Sequence, residues 1–120
     1  MIFFTIQGQP PRKSNGRRIV RNGDHVRVIK SADALAWVKS ALMQIPPDAR
    51  QGIGSLERPL RATFHVYYET RRPDLSVELI LDVLEEAGVI ANDRYVYETH
   101  AYKWFSRDHP GVFVQLEVME

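Results

Sequence analysis

Residues 71–93, RRPDLSVELILDVLEEAGVIAND, carry the signature of an amphipathic helix with a line of acids along it. Asp74, Glu78 and Asp82 fall at i, i+4 and i+8, and Glu85 extends the line by another turn. Side chains at this spacing stack one above another on a single helical face. Val77, Ile80, Leu81 and Leu84 form the complementary apolar stripe and are expected to face a core. Pro73 suits the first turn or the position before it, Asp74 or Ser76 can cap free N–H groups, and Gly88 suits the left-handed residue that closes a helix. The spacing therefore predicts a helix over about 74 to 87 with its acids turned outward. A line of acids is in most proteins only a solvated face, so its meaning depends on what the rest of the chain supplies.

Just before this stretch, Leu60 to Glu69 alternates. Leu60, Ala62, Phe64, Val66 and Tyr68 fall on one face, and Arg61, Thr63, His65, Tyr67 and Glu69 on the other, which predicts a strand running into the acidic helix. Beyond it, Arg94 to Phe105 and Val112 to Val118 read as two strands around the turn SRDHPG. Further out, Ile2 to Gln7 is a short apolar strand and residues 8–16, GQPPRKSNG, are a loop. Arg17 to Arg21 and His25 to Ile29 flank the turn residues Asn22, Gly23 and Asp24 as a hairpin.

Ser31 is positioned to cap a first helix over about Ala32 to Ile45, with Leu35, Val38, Leu42 and Ile45 as its buried stripe and Trp37 and Met43 on the flanks. Pro46 and Pro47 stop it. Residues 46–59, rich in Pro and Gly, form the longest irregular connection. The order β, ββ, α, β, α, β, β predicts an α+β fold, one domain over residues 1–120, with two helices packed on a mostly antiparallel sheet.

The absence of cysteine from the 120 residues excludes disulfides, thiolate metal sites and a thiol nucleophile. No segment approaches the length of a membrane span, and MIFFTIQG has neither a charged lead nor a cleavage site, so the expected location is cytoplasmic. The net charge of +1 decides nothing, but its distribution does. Between residues 12 and 30 stand Arg12, Lys13, Arg17, Arg18, Arg21, Arg27 and Lys30 against the single acid Asp24, whereas eight of the fifteen acids lie between Glu69 and Glu98. A basic arm and an acidic centre suit an enzyme that cuts phosphodiesters, with cations on the phosphates and carboxylates on a divalent metal. His25, His65, His100 and His109 lack metal-ligand spacing.

Several stretches together resemble the RusA family of Holliday junction resolvases. They are the early GQPP loop followed by basic residues, IKS before the first helix, RRPDL, LILDVL, AGVIANDRYV and the closing HPGVFVQLEV. The resemblance covers nearly the whole chain. It implies a homodimeric, magnesium-dependent endonuclease that cuts four-way junction DNA in recombination and repair.

Carried over residue by residue, Asp74 matches an aspartate of the family's Asp-x-Asp pair, Asp82 the acid within the helix and Asp93 the acid of the following turn. Ser76 then stands where the second aspartate is expected, and Asn92 replaces one member of an Asp-Asp pair. Shifting the alignment by two instead puts Arg72 in place of the first aspartate and keeps Asp74. The family's helix lysine has no counterpart, with Glu78 or Ile80 near its place. The implied magnesium ligands are Asp74, Asp93 and Asp82, with Glu78 able to supply a further carboxylate. Arg12, Lys13, Arg17, Arg18, Arg71, Arg72 and Lys103 are the candidates for DNA phosphates. A junction-binding protein that has lost cleavage through Ser76 is the alternative reading.

Overall fold

The computed structural model describes residues 1–11, 17–23 and 25–120, and within 17–22 and 25–30 the backbone alone. Its elements are β1 (Ile2–Gln7), β2 (Arg17–Asn22), β3 (His25–Lys30), α1 (Ala32–Gln44), β4 (Leu60–Tyr68), α2 (Glu78–Glu86), β5 (Val96–Phe105) and β6 (Gly111–Val118), with short 3-10 turns at Pro47–Ala49 and Asp93–Tyr95. This is the predicted α+β order. β1, β6, β4 and β5 form a four-stranded sheet in that spatial order, while β2 and β3 pair antiparallel as a separate ribbon. β1–β6 and β6–β4 are antiparallel, and β4–β5 is parallel. The parallel pair follows from α2, since strands joined through a helix can run in the same direction. β5 and β6, neighbours in sequence around the turn at 106–110, are not paired with each other because β4 lies between them.

The alternation predicted for β4 holds. Leu60, Ala62, Phe64, Val66 and Tyr68 are all buried, together with Ile2, Phe4 and Ile6 of β1 and Val112, Val114 and Leu116 of β6. Trp37, Val38, Ala41 and Ile45 from the first helix and its end, and Ile80, Val83 and Leu84 from α2, join them in one core cluster. Burying a side chain the size of Phe64 contributes about 1.5–3 kcal/mol, so this one layer of contact between helices and sheet dominates stability.

Both helices depart from their predicted faces. α1 buries Ala34, Trp37, Val38 and Ala41, while Leu35 is exposed and Leu42 only partly covered. The cause is Trp37, whose indole N–H donates to the Gly8 carbonyl at 3.1 Å and turns the helix about its axis. Ser31 caps as expected, accepting from the Ala34 N–H at 3.2 Å. α2 begins at Glu78, a full turn later than predicted, and it buries Val83 rather than Val77 or Leu81. Val77 sits at φ −117°, ψ 2° and its carbonyl accepts the first helical bond from Leu81 at 3.0 Å. The Asp74 carbonyl is turned to the Tyr68 hydroxyl instead of into a helix. At the other end Gly88 adopts φ +76°, the left-handed closure its position predicted.

The long connection of residues 46–59 is tied down at several points. The Arg50 guanidinium donates to the Leu42 carbonyl at 2.6 Å, and Ile53 forms a parallel bridge with Ile90 beyond α2. Among the described residues no helix is long and apolar enough to cross a membrane.

Candidate functional site

The C-terminal end of β4 is where Lys103 meets Arg71 and where Tyr68 holds Asp74. The Tyr68 hydroxyl donates to the Asp74 carbonyl at 3.2 Å, which fixes the residue just beyond the strand. Burial pushes the Tyr68 phenol up; the Ser76 backbone N–H opposes this and the Asp74 carboxylate adds to it, so the hydroxyl stays a donor. Lys103 on β5 donates to the Arg71 carbonyl at 2.9 Å, and the Arg71 guanidinium lies 5.3 Å from the centre of the Phe105 ring. Arg71, Arg72, Asp74 and Lys103 are all exposed. The fold thus brings Lys103 beside Arg71, thirty-two residues away in sequence, as two of the predicted phosphate contacts.

Glu78 and Asp82 lie one turn apart on α2, both exposed. Asp74, outside the helix, no longer continues their line. Asp93 belongs to the opposite end of α2, where its backbone N–H donates to the Glu85 carboxylate at 3.0 Å. Asn92 caps the 3-10 turn by accepting from the Arg94 N–H at 3.0 Å. An aspartate would fill the same capping role, so Asn92 preserves the shape of the turn while removing one charge. Glu85 is the residue whose role sequence reasoning missed: it extends the acidic line, yet its carboxylate is a strut for the turn that carries Asp93.

These positions decide how the acids can act together. Asp74 is tethered to Tyr68, whereas Asp93 stands three residues before Val96, which pairs with Leu60. From Leu60 to Tyr68 the strand rises about 26 Å at about 3.3 Å per residue, and α2 covers about 13 Å between the two ends. Asp74 and Asp93 of one chain therefore belong to opposite ends of α2. Magnesium holds its oxygens at about 2.1 Å. Among the described residues no three His, Asp or Glu side chains form a group able to hold a metal. The carboxylates are the right kind of donor for magnesium.

The sheet face away from the helices has its own order. Strand register places its residues in rows across the sheet: Gln7, Gly111, Tyr67 and Trp104, then Thr5, Phe113, His65 and Tyr102. His65 stacks on Tyr102 with ring centres 4.9 Å apart, and the Trp104 indole N–H donates to His65 Nδ1 at 2.9 Å. Tyr102 and Trp104 are about half exposed, at 45% and 47%. The outward half of the β4 alternation held the signal for His65 and Tyr67, but it could not show that α1 and α2 both pack on the other face. Toward the other end of the face Arg61 bridges Glu98 and Glu117, both at 3.1 Å. Hydrogen bonds from His100 and then Arg61 hold the Glu98 carboxyl below its usual range.

Of the remaining candidates, Arg12 and Lys13 lie outside the described residues, and Arg17 and Arg18 are described through the backbone of β2. No protein-family model matches the chain, and no curated protein matches it either.

Proposed function

We propose that this protein is a RusA-like, magnesium-dependent endonuclease that resolves four-way DNA junctions and acts as a homodimer. The observation that carries the reading is the contact of Lys103 with Arg71 at the end of β4, where Tyr68 also holds Asp74, on the motif RRPDL that carries part of the resemblance. Cations hold and orient the phosphates of a strand there, and an exposed carboxylate stands beside them. When bound, magnesium supplies Lewis-acid activation of the phosphodiester and of the attacking water. The chain's own residues position the backbone and offer hard oxygen ligands.

The separation of Asp74 from Asp93 makes the dimer part of the reading. A two-fold axis sets the same patch of each chain against the other, so Asp74 of one protomer can face Asp93 of its partner. The test mixes two inactive proteins, Asp74→Asn and Asp93→Asn. A site shared between chains leaves one intact pair in each mixed dimer, so magnesium-dependent cleavage of a synthetic four-way junction returns to at most half the wild-type rate. A mixture as inactive as either parent rules out sharing. Wild-type protein that binds the junction but leaves it uncut with magnesium present removes the nuclease reading altogether.

A second reading, a junction-binding protein without cleavage, is favoured by Ser76 in place of an aspartate and by the lack of a three-ligand group among the described residues. The same cleavage assay separates the two.

A further inference from the structure

The open face of the sheet contains a notch that the phosphate-gripping cations do not explain. Gly111 is paired with Gln7 on one side and Tyr67 on the other, and it contributes no side chain to their row. A Cβ at this position would collide with the Ile6 carbonyl oxygen, so close strand pairing keeps the place vacant. The result is a cleft of about 780 Å³ walled by Tyr67 and Phe113, with Thr5, Gln7 and Asp108 at its polar margins.

We infer that this cleft receives an unpaired nucleobase, stacked against Tyr67 above Gly111, from a DNA strand whose phosphates run along the cationic end of β4. The inference rests on the proposed DNA reading and names a contact within it. Three observations support it. Aromatic walls suit a planar heterocycle, because every base presents a face for stacking. The polar margin suits a base edge: the Asp108 carboxylate accepts from an exocyclic amine, while the Gln7 amide and Thr5 hydroxyl both donate and accept.

The third observation is charge. Tyr67 immediately precedes Tyr68, and Trp104, in the row of Tyr67, lies between Lys103 and Phe105. Lys103 pairs with buried Val66 and so belongs to the helix side of β5; it and Arg71 stand at the same end of the sheet as the cleft, and exposed Arg107 lies in the turn that borders it. Glu69, Asp74 and Asp108 are acids of this end, all exposed, and Arg71, Arg72, Lys103 and Arg107 are its cations. These cations suit the phosphates of a strand that carries bases more than an isolated neutral heterocycle.

The experiment compares three labelled DNAs by fluorescence anisotropy: a single-stranded oligodeoxycytidylate, a strand of equal length with abasic sites, and a duplex. The first two carry the same phosphates, so their ratio isolates the base. Wild-type protein should bind the cytidylate about tenfold more tightly than the abasic strand, as one stacked base provides. Tyr67→Leu should bring that ratio to one with duplex affinity unchanged, and Tyr67→Phe should preserve it. A wild-type ratio of one, or a ratio that Tyr67→Leu leaves intact, overturns the inference even when duplex and junction bind well. Failure to bind any of the DNAs defeats the DNA reading itself. Titration of wild-type protein with cytidine monophosphate, followed by aromatic NMR, needs no variant: the largest shifts should fall on Tyr67 and Phe113, and shifts confined elsewhere count against the site.

Discussion

Tyr68 joins the end of β4 to the residue on which the proposed chemistry rests. Its ring belongs to the core and its hydroxyl reaches the Asp74 carbonyl. Tyr68→Phe keeps the packing and removes the hydroxyl's bonds to the Asp74 carbonyl and from the Ser76 N–H, so thermal unfolding should show a loss of about 1–3 kcal/mol. Junction cleavage should fall further than stability does, because Asp74 loses its tether. Asp74→Asn and Asp93→Asn should each abolish cleavage and leave junction binding equal or slightly tighter, since they remove negative charge near the phosphates. Cleavage by Asp74→Asn at the wild-type rate is incompatible with the assignment. Changing Arg17 and Arg18 together to Ala should weaken binding and flatten its dependence on salt.

Glu98 permits a test by pH. Its folded pKa is depressed by His100 and Arg61, so its contribution to stability is complete above about 4.5 and disappears as pH falls through the lower folded value. Urea unfolding of Glu98→Gln should match wild type well below that range and fall short of it at neutral pH. The difference should be small because the group is solvent-exposed.

At the scale of elements, what was legible in the sequence was whatever a local period encodes. The β4 alternation, the Ser31 cap and the Gly88 closure each depend on neighbours a few residues away, and each stands where the pattern put it. The misplaced features depend on distant partners. The stripe chosen for α1 followed the large aliphatics Leu35 and Leu42, but a hydrogen bond from Trp37 to Gly8 sets the rotation of the helix. The early start assigned to α2 followed Pro73 and the acidic spacing, and a hydroxyl contributed by β4 overrides it. For the candidate site, residue types were legible whereas their assembly was not: nothing local in NDR shows that Asp93 and Asp74 belong to opposite ends of α2. Gly111→Ala offers a check on the register, because a methyl pressed against the Ile6 carbonyl must pry β1 from β6. It should cost about 1–3 kcal/mol, read as a lower urea midpoint.

For the molecule as a whole, the pairing of its first strand with its last sets an order of events during synthesis. Ile2 lies opposite Leu116 and Gln7 opposite Gly111, so β1 emerges from the ribosome more than a hundred residues before its partner exists. Until then Ile2, Phe4 and Ile6 have no β6 to complete their side of the core, and the nascent chain carries a short adhesive segment without its partner. Translation at about 5–20 residues per second leaves that segment waiting for several seconds. Ribosome-bound chains halted before Gly111 should therefore be cut readily by protease within β1, and chains released from the tunnel through Val118 should resist. Protection of β1 in the shorter chains would mean that it finds a temporary partner, and a holding chaperone is the first to look for.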